Sequence, residues 1–299
     1  MSLRKFNIIG CGYIGKKIAR GISHEMGELR CYINTGYSKK SLESSGVQAY
    51  QFDLDKENSG LSQEQVQGFS NSHIAYLVPP PRNGVVDTRM SHFISLLEGL
   101  KTPPESILLI STTGVYGDCK GEWIDEAREL NPQAQRAVRR VSAEEQLRAY
   151  VKKYAVSFTV FRVPGIYAAD KLPLKRLGSG EPIVRAADSG FTNRIHADDL
   201  TAFCIEALVS DVTSGIYNCC DGHPSTMNDY FMKVADTVGI ERPAEISLQQ
   251  AKAELSAGMM SYLAESKRIS NKKLLDNFKT QMKYPDLEAG LKNVGKNNE

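Results

Sequence analysis

The stretch IIGCGYIGKKIARGI, Ile8 to Ile22, constrains this chain more than any other. Its glycines, Gly10, Gly12 and Gly15, follow the apolar run FNII that starts at Phe6 and lead into a segment of helical pattern that starts at Tyr13. Strand, glycine turn and helix in that order make the GxGxxG element of a βαβ unit. Gly10 permits the tight turn, Gly12 lets backbone approach a pyrophosphate, and Gly15 lets helix and strand pack closely. The helix amino terminus supplies N–H donors to phosphates. A bare GxGxxG is a weak signal, but its context here makes dinucleotide binding the expectation, with Gly10, Cys11, Gly12, Tyr13, Ile14 and Gly15 forming the cradle. The bland alternative is a glycine turn that binds nothing.

The rest of the chain supports that context. Short apolar runs recur at CYI (Cys31), AYQF (Ala49), IAYLV (Ile74), ILLI (Ile107) and FTVFRV (Phe158), with helix patterns between them at Tyr13–Ser23, Asp87–Leu100 and Ala134–Tyr154. This alternation predicts a doubly wound α/β Rossmann fold with a parallel sheet. After about Pro164 the pattern loosens, and Lys171 to Gly190 reads as a Gly- and Pro-rich loop. Later elements are a helix at Ala197–Leu208, a strand at Ile216–Cys219, and helices at Thr226–Val238 and near Asn271–Phe278. The expected organisation is a nucleotide-binding domain over 1–163 and a smaller mixed α/β substrate-binding region over 164–299, partly interleaved with the first.

Composition removes several function classes. Lys and Arg total 37 against 35 Asp and Glu, with no long block of like charge, which argues against a nucleic-acid partner. The longest apolar runs fall far short of the roughly 18 residues a membrane span needs. The six cysteines show no CxxC pair or other metal-ligand spacing, and no basic segment followed by an apolar one opens the chain. Free thiols in a reducing cytoplasm, no leader and no metal site are expected.

The choice of dinucleotide turns on the end of the second strand, where an acidic residue would accept hydrogen bonds from the adenosine ribose. Here CYINTGYSKK offers Asn34 and Thr35 and no carboxylate. Ser38, Lys39 and Lys40 follow closely and suit a 2′-phosphate, which favours NADP over NAD; a solvated lysine loop is the competing reading. Asp53, ending the third strand in QFDLD, either contacts the adenine or closes a turn. Val78, at the end of IAYLV, is a further cofactor candidate.

With the glycine turn in place, ISTTGVYG (Ile110 to Gly117), FRVPGIY (Phe161 to Tyr167) and NRIHADDL (Asn193 to Leu200) resemble the extended short-chain dehydrogenase/reductase family, in its NAD-dependent epimerase/dehydratase branch. The resemblance covers nearly the whole chain. It implies a bound nicotinamide cofactor, commonly a nucleotide-sugar substrate, and a dimer in many relatives. It also implies a role for Thr112, whose hydroxyl would bond the reacting oxygen. The alternative is that Thr112 and Thr113 satisfy backbone groups at the strand end.

Family members then carry Tyr-x-x-x-Lys at the start of the next helix. With Pro132 and Glu144 anchoring the register, PQAQRAVRRVSAE puts Arg136 at the tyrosine place and Arg140 at the lysine place. The pattern resembles atypical members that lack this pair. An arginine, with a pKa above about 12, cannot exchange the proton that the tyrosine would. Tyr116, Tyr167, His196 and Cys119 are candidate replacements, each with a stronger structural reading; Asp198 or Asp199 is expected to cap the helix after His196. Arg136 and Arg140, one turn apart, are expected to share a face and grip an anion, the cofactor's or a small substrate's. The alternative is a dead site filled by salt bridges to Glu144. Arg139, off that face, reads as a surface charge. Three functions follow from this: an NAD(P)-dependent oxidoreductase or epimerase acting on a small polar or anionic substrate, a non-catalytic dinucleotide sensor, and a degenerate fold that binds no nucleotide.

Overall fold

The computed structural model describes residues 4–22, 25–43, 46–56, 60–292 and 294. Seven strands form one sheet: β1 (Arg4–Ile9), β2 (Gly27–Ile33), β3 (Gln48–Gln51), β4 (His73–Tyr76), β5 (Ser106–Thr112), β6 (Ser157–Val163) and β7 (Gly215–Asn218). Their order is β3-β2-β1-β4-β5-β6-β7 and every pairing is parallel. Strand order reverses between β1 and β4, which opens a crevice at their carboxyl ends.

Helices α1 (Tyr13–Gly21), α2 (Gly36–Glu43), α4 (Thr88–Glu98), α5 (Gln135–Tyr154) and α6 (Ala197–Val209) cover the two faces; α3 (Gln63–Gln67) lies between β3 and β4 in the chain, and α7 (Met227–Val238) packs with the carboxy-terminal elements. Strand alternation sorts the core into two layers. Phe6, Ile8 and Leu108 face α1 and α6 with Ile18 and Phe203, while Ile9, Ile107 and Leu109 face α4 and α5 with Phe93 and Leu147. A third cluster, built on Tyr167, Leu177, Phe231, Val234 and Leu287, holds the carboxy-terminal elements.

Several boundaries moved. α1 stops at Gly21, and Ser23 lies outside the described residues. The segment with Lys39 and Lys40 is helix α2, not a loop. Lys171 to Gly190 carries a short helix at Leu174–Gly178 and a strand at Ile183–Val184 that pairs with Glu245–Ile246. That partner is about sixty residues away, so no local period announces it. α6 is capped by the His196 ring, whose Nδ1 accepts from Asp198 N at 3.2 Å, and not by Asp198 or Asp199. Asp199 instead accepts from Lys283 N and Tyr284 N at 2.8 and 2.9 Å, fastening the carboxy-terminal segment. Among the described residues no helix is long and apolar enough to cross a membrane.

Candidate active site

The glycine turn closes against the crevice. Gly10 has φ +82°, and a Cβ there would lie 2.9 Å from Val78 N and 3.1 Å from the Leu77 carbonyl carbon, so only glycine fits. Gly10 N and Cys11 N both donate to Tyr32 O, at 2.9 and 3.1 Å, which pins the turn to β2. A Cβ on Gly12 would meet nothing nearer than Gly10 O at 3.9 Å, whereas one on Gly15 would press on Ile8 and Gly10 O at 3.2 and 3.3 Å. Gly12 is the N-cap of α1 and brings no side chain to its N–H groups. Open space in front of free helix N–H groups fits a pyrophosphate. Cys11 is buried and Ile14 packs on the core. Tyr13 leans away: its hydroxyl donates to Asp170 Oδ1 at 2.6 Å, and Lys171 Nζ lies 4.7 Å from its ring centre. Lys17 pairs with Asp198 at 2.8 Å, a second tie between α1 and the carboxy-terminal half.

The other cofactor candidates have local partners. Lys39 Nζ is 3.6 Å from Glu43, one turn along α2, and Ser38's side chain lies outside the described residues. Asp53 accepts from Asp55 N at 3.0 Å and pairs with Lys56 at 3.4 Å, which closes the turn after β3.

Beside the crevice is a cavity of about 540 Å³ whose walls include Thr112, Arg136, Ile166, Arg194, Tyr230 and Lys267. Thr112 ends β5 and caps the 3₁₀ turn Thr113–Tyr116: its Oγ1 accepts from Gly114 N at 3.2 Å. The hydroxyl proton is thereby left to donate into the cavity.

The three arginines at the start of α5 part company. Arg136 is exposed on the cavity wall. Arg140, one turn on, is buried and does not line the cavity; Asp87, Tyr76 and Glu144 surround it at longer range than a hydrogen bond. Burial lowers its pKa, and Arg140 Nη1, Asp87 Oδ2 and Tyr76 Oη all lack hydrogen-bond partners among the described residues. The two guanidinium groups therefore do not meet in one grip. Arg139 is also buried, not a surface charge, and donates to Gly84 O at 2.7 Å. This helix packs against β5, β6 and α4, and Arg139 reaches the loop of residues 79–86, so one stripe of side chains is not enough to predict exposure.

Glu144 has other partners as well. Arg162 Nη2 and Nε donate to its two oxygens at 2.8 and 3.3 Å, Ser111 Oγ donates to Oε1, and Arg162 Nη1 donates to Tyr116 Oη at 3.0 Å. Tyr116 in turn donates to Asn218 Oδ1 at 2.7 Å. The network ties β5, α5, β6 and β7 together in the interior. Salt bridges from Arg136 or Arg140 to Glu144 do not form among the described residues.

The remaining base candidates are engaged. Burial pushes Tyr116 up to about 12 despite Arg162 beside it. Tyr167 lines the cavity, but its hydroxyl donates to Asp286 O at 3.0 Å and burial raises its pKa. Burial lowers His196, whose ring lies 3.8 Å from that of Tyr284, and raises the Cys119 thiol. Arg194, Tyr230 and Lys267 went unread in the sequence. Arg194 had one available signal, its place two residues before His196 in NRIHADDL; the other two arrive from distant segments.

The sequence model of the NAD dependent epimerase/dehydratase family matches residues 8–220. Protein YeeZ of Escherichia coli K12 is 21% identical over 298 residues, covering 95% of this chain and 97% of that protein. A functionally unknown conserved protein from Silicibacter pomeroyi superposes with a TM-score of 0.80 at 23% identity, covering 98% of this chain and 99% of the other. UDP-glucuronic acid 4-epimerase from Bacillus cereus, determined in complex with NAD, gives 0.72 at 14% identity, with 99% and 100% coverage.

Proposed function

The chain belongs to the NAD dependent epimerase/dehydratase family, and from that premise we propose that it is an oxidoreductase or epimerase acting on a small polar substrate that carries negative charge. The observation that carries this reading is the convergence of Thr112 and Arg136 on one cavity. The dinucleotide, when bound, supplies the hydride acceptor or donor. Thr112 directs its hydroxyl proton to the reacting oxygen of the substrate. Arg136 holds charge and orients it, and its pKa keeps it from serving as the base. Nucleotide sugars, common in the family, are the larger candidates for the cavity. The absence of a carboxylate at Asn34 and Thr35, together with Lys39 and Lys40 on α2, supports NADP over NAD.

Titration of the purified protein with the oxidised and reduced forms of NADP and NAD, followed by nicotinamide absorbance and by product analysis for epimers against hydroxy, oxo and nucleotide-sugar compounds, tests the proposal. Turnover that falls about a hundredfold in Thr112→Val with cofactor affinity kept is the expected result. No redox change and no epimerised product with any compound overturns it. A second reading, a dinucleotide sensor without turnover, draws on the burial of Arg140, which does not line the cavity that Arg136 lines. Tight dinucleotide binding with no chemistry selects it.

A further inference from the structure

Among the described residues, Arg194 is the buried cation of the cavity wall without an acid in ion-pair range. It lies on the short strand Arg194–His196, which pairs in parallel with Gly165–Tyr167. The residue is only 5% exposed and its guanidinium stacks 4.4 Å from the Tyr230 ring centre. Nη1 donates to Ser225 Oγ at 2.8 Å, and Nη2 to Thr226 O at 3.2 Å and Met227 Sδ at 3.7 Å. All these partners are neutral. Two of its five N–H donors, on Nε and Nη1, have no acceptor among the described residues.

Other buried cations nearby are neutralised. Arg162 has Glu144 at 2.8 Å, and Lys267 on the same wall pairs with Glu265 and donates to Gly117 O at 2.6 Å. The acids around Arg194 act only at longer range: Asp229 is paired with Lys233 at 3.1 Å, and Asp221 accepts from His223 N at 2.9 Å. Burial lowers the Arg194 pKa accordingly. A guanidinium buried without a counter-charge is costly, and its two spare donors suit oxygens of a carboxylate or phosphate.

We propose that Arg194 is the anion receptor of this cavity and that the substrate is a small organic acid whose carboxylate or phosphate it grips. Ile166, Met227 and the Tyr230 ring line the adjoining wall and suit an apolar or ring-shaped body. The inference rests on the reading of this cavity as the substrate site.

The test is isothermal titration of the full chain with inorganic phosphate and, separately, succinate, in wild type, Arg194→Met and Arg194→Lys. Affinity for at least one anion should fall about tenfold or more in Arg194→Met. Arg194→Lys, which keeps the charge and removes the guanidinium, should fall between, and NADPH affinity should hold in both. Preference for phosphate marks a phosphate ester, and preference for succinate a carboxylic acid. Wild type that binds neither anion, or variants that bind as well as wild type, overturn the proposal. Should Arg194→Met not fold, Arg194→Lys alone decides, since unchanged anion affinity there rejects the guanidinium as the receptor. Anion binding lost with Arg194 in a protein without turnover upholds the receptor and rejects the enzyme; turnover without it does the reverse.

Discussion

The glycine turn and the start of α5 both border the carboxyl edge of the sheet, and they are built from different materials. The turn offers backbone N–H groups, and its three glycines are set by contact: Gly10 and Gly15 are pressed by their neighbours, and Gly12 faces open space. The α5 start offers side chains, and its three arginines separate into a cavity wall, a carbonyl of the 79–86 loop, and a buried pocket beside Asp87. A site made of backbone persists as long as the turn folds. One made of side chains is rewritten by single substitutions, while the framework beneath it, Glu144 with Arg162, stays in place.

Four variants put that contrast to the test. The largest effect is expected for Glu144→Ala, which strands Arg162 in the interior; denaturant unfolding should show a loss of about 3–5 kcal/mol. A loss below about 1 kcal/mol would mean the network does not support the α5 edge. Next comes Gly12→Val. A Cβ there crowds no protein atom, but the ψ of −142° lies outside the usual regions for a β-branched residue, so unfolding is measured beside binding; in folded protein dinucleotide affinity should drop about a hundredfold, near 2.7 kcal/mol. Retained NADPH binding in a fluorescence titration would place the pyrophosphate elsewhere. Arg136→Ala, at an exposed position, should leave the melting temperature alone and weaken binding of an anionic substrate about tenfold. Smallest is Arg140→Met: with Nη1 unpartnered, its replacement by an apolar side chain should change stability by about 1 kcal/mol or less and leave ligand affinity unchanged. Loss of ligand affinity there would return Arg140 to the site beside Arg136.

Much of this molecule is legible from the chain alone. The strand–glycine–helix order and the spaced apolar runs determine a parallel sheet with covered faces, because period-two and period-3.6 patterns are local properties of the backbone. The glycine positions likewise specify a turn that only residues without Cβ can make at Gly10. Tertiary structure decided the rest. Arg136, Arg139 and Arg140 are near neighbours in sequence, yet one is exposed and two are buried, since the loop of residues 79–86 and α4 cover part of the helix. The short strand Ile183–Val184 exists only through its distant partner. Arg194, Tyr230 and Lys267 reach one cavity from three separate segments. Whether a charged side chain becomes a surface charge, a strut or a receptor depends on which acids lie within about 4 Å, and that distance is set by packing between elements, not by neighbours along the chain.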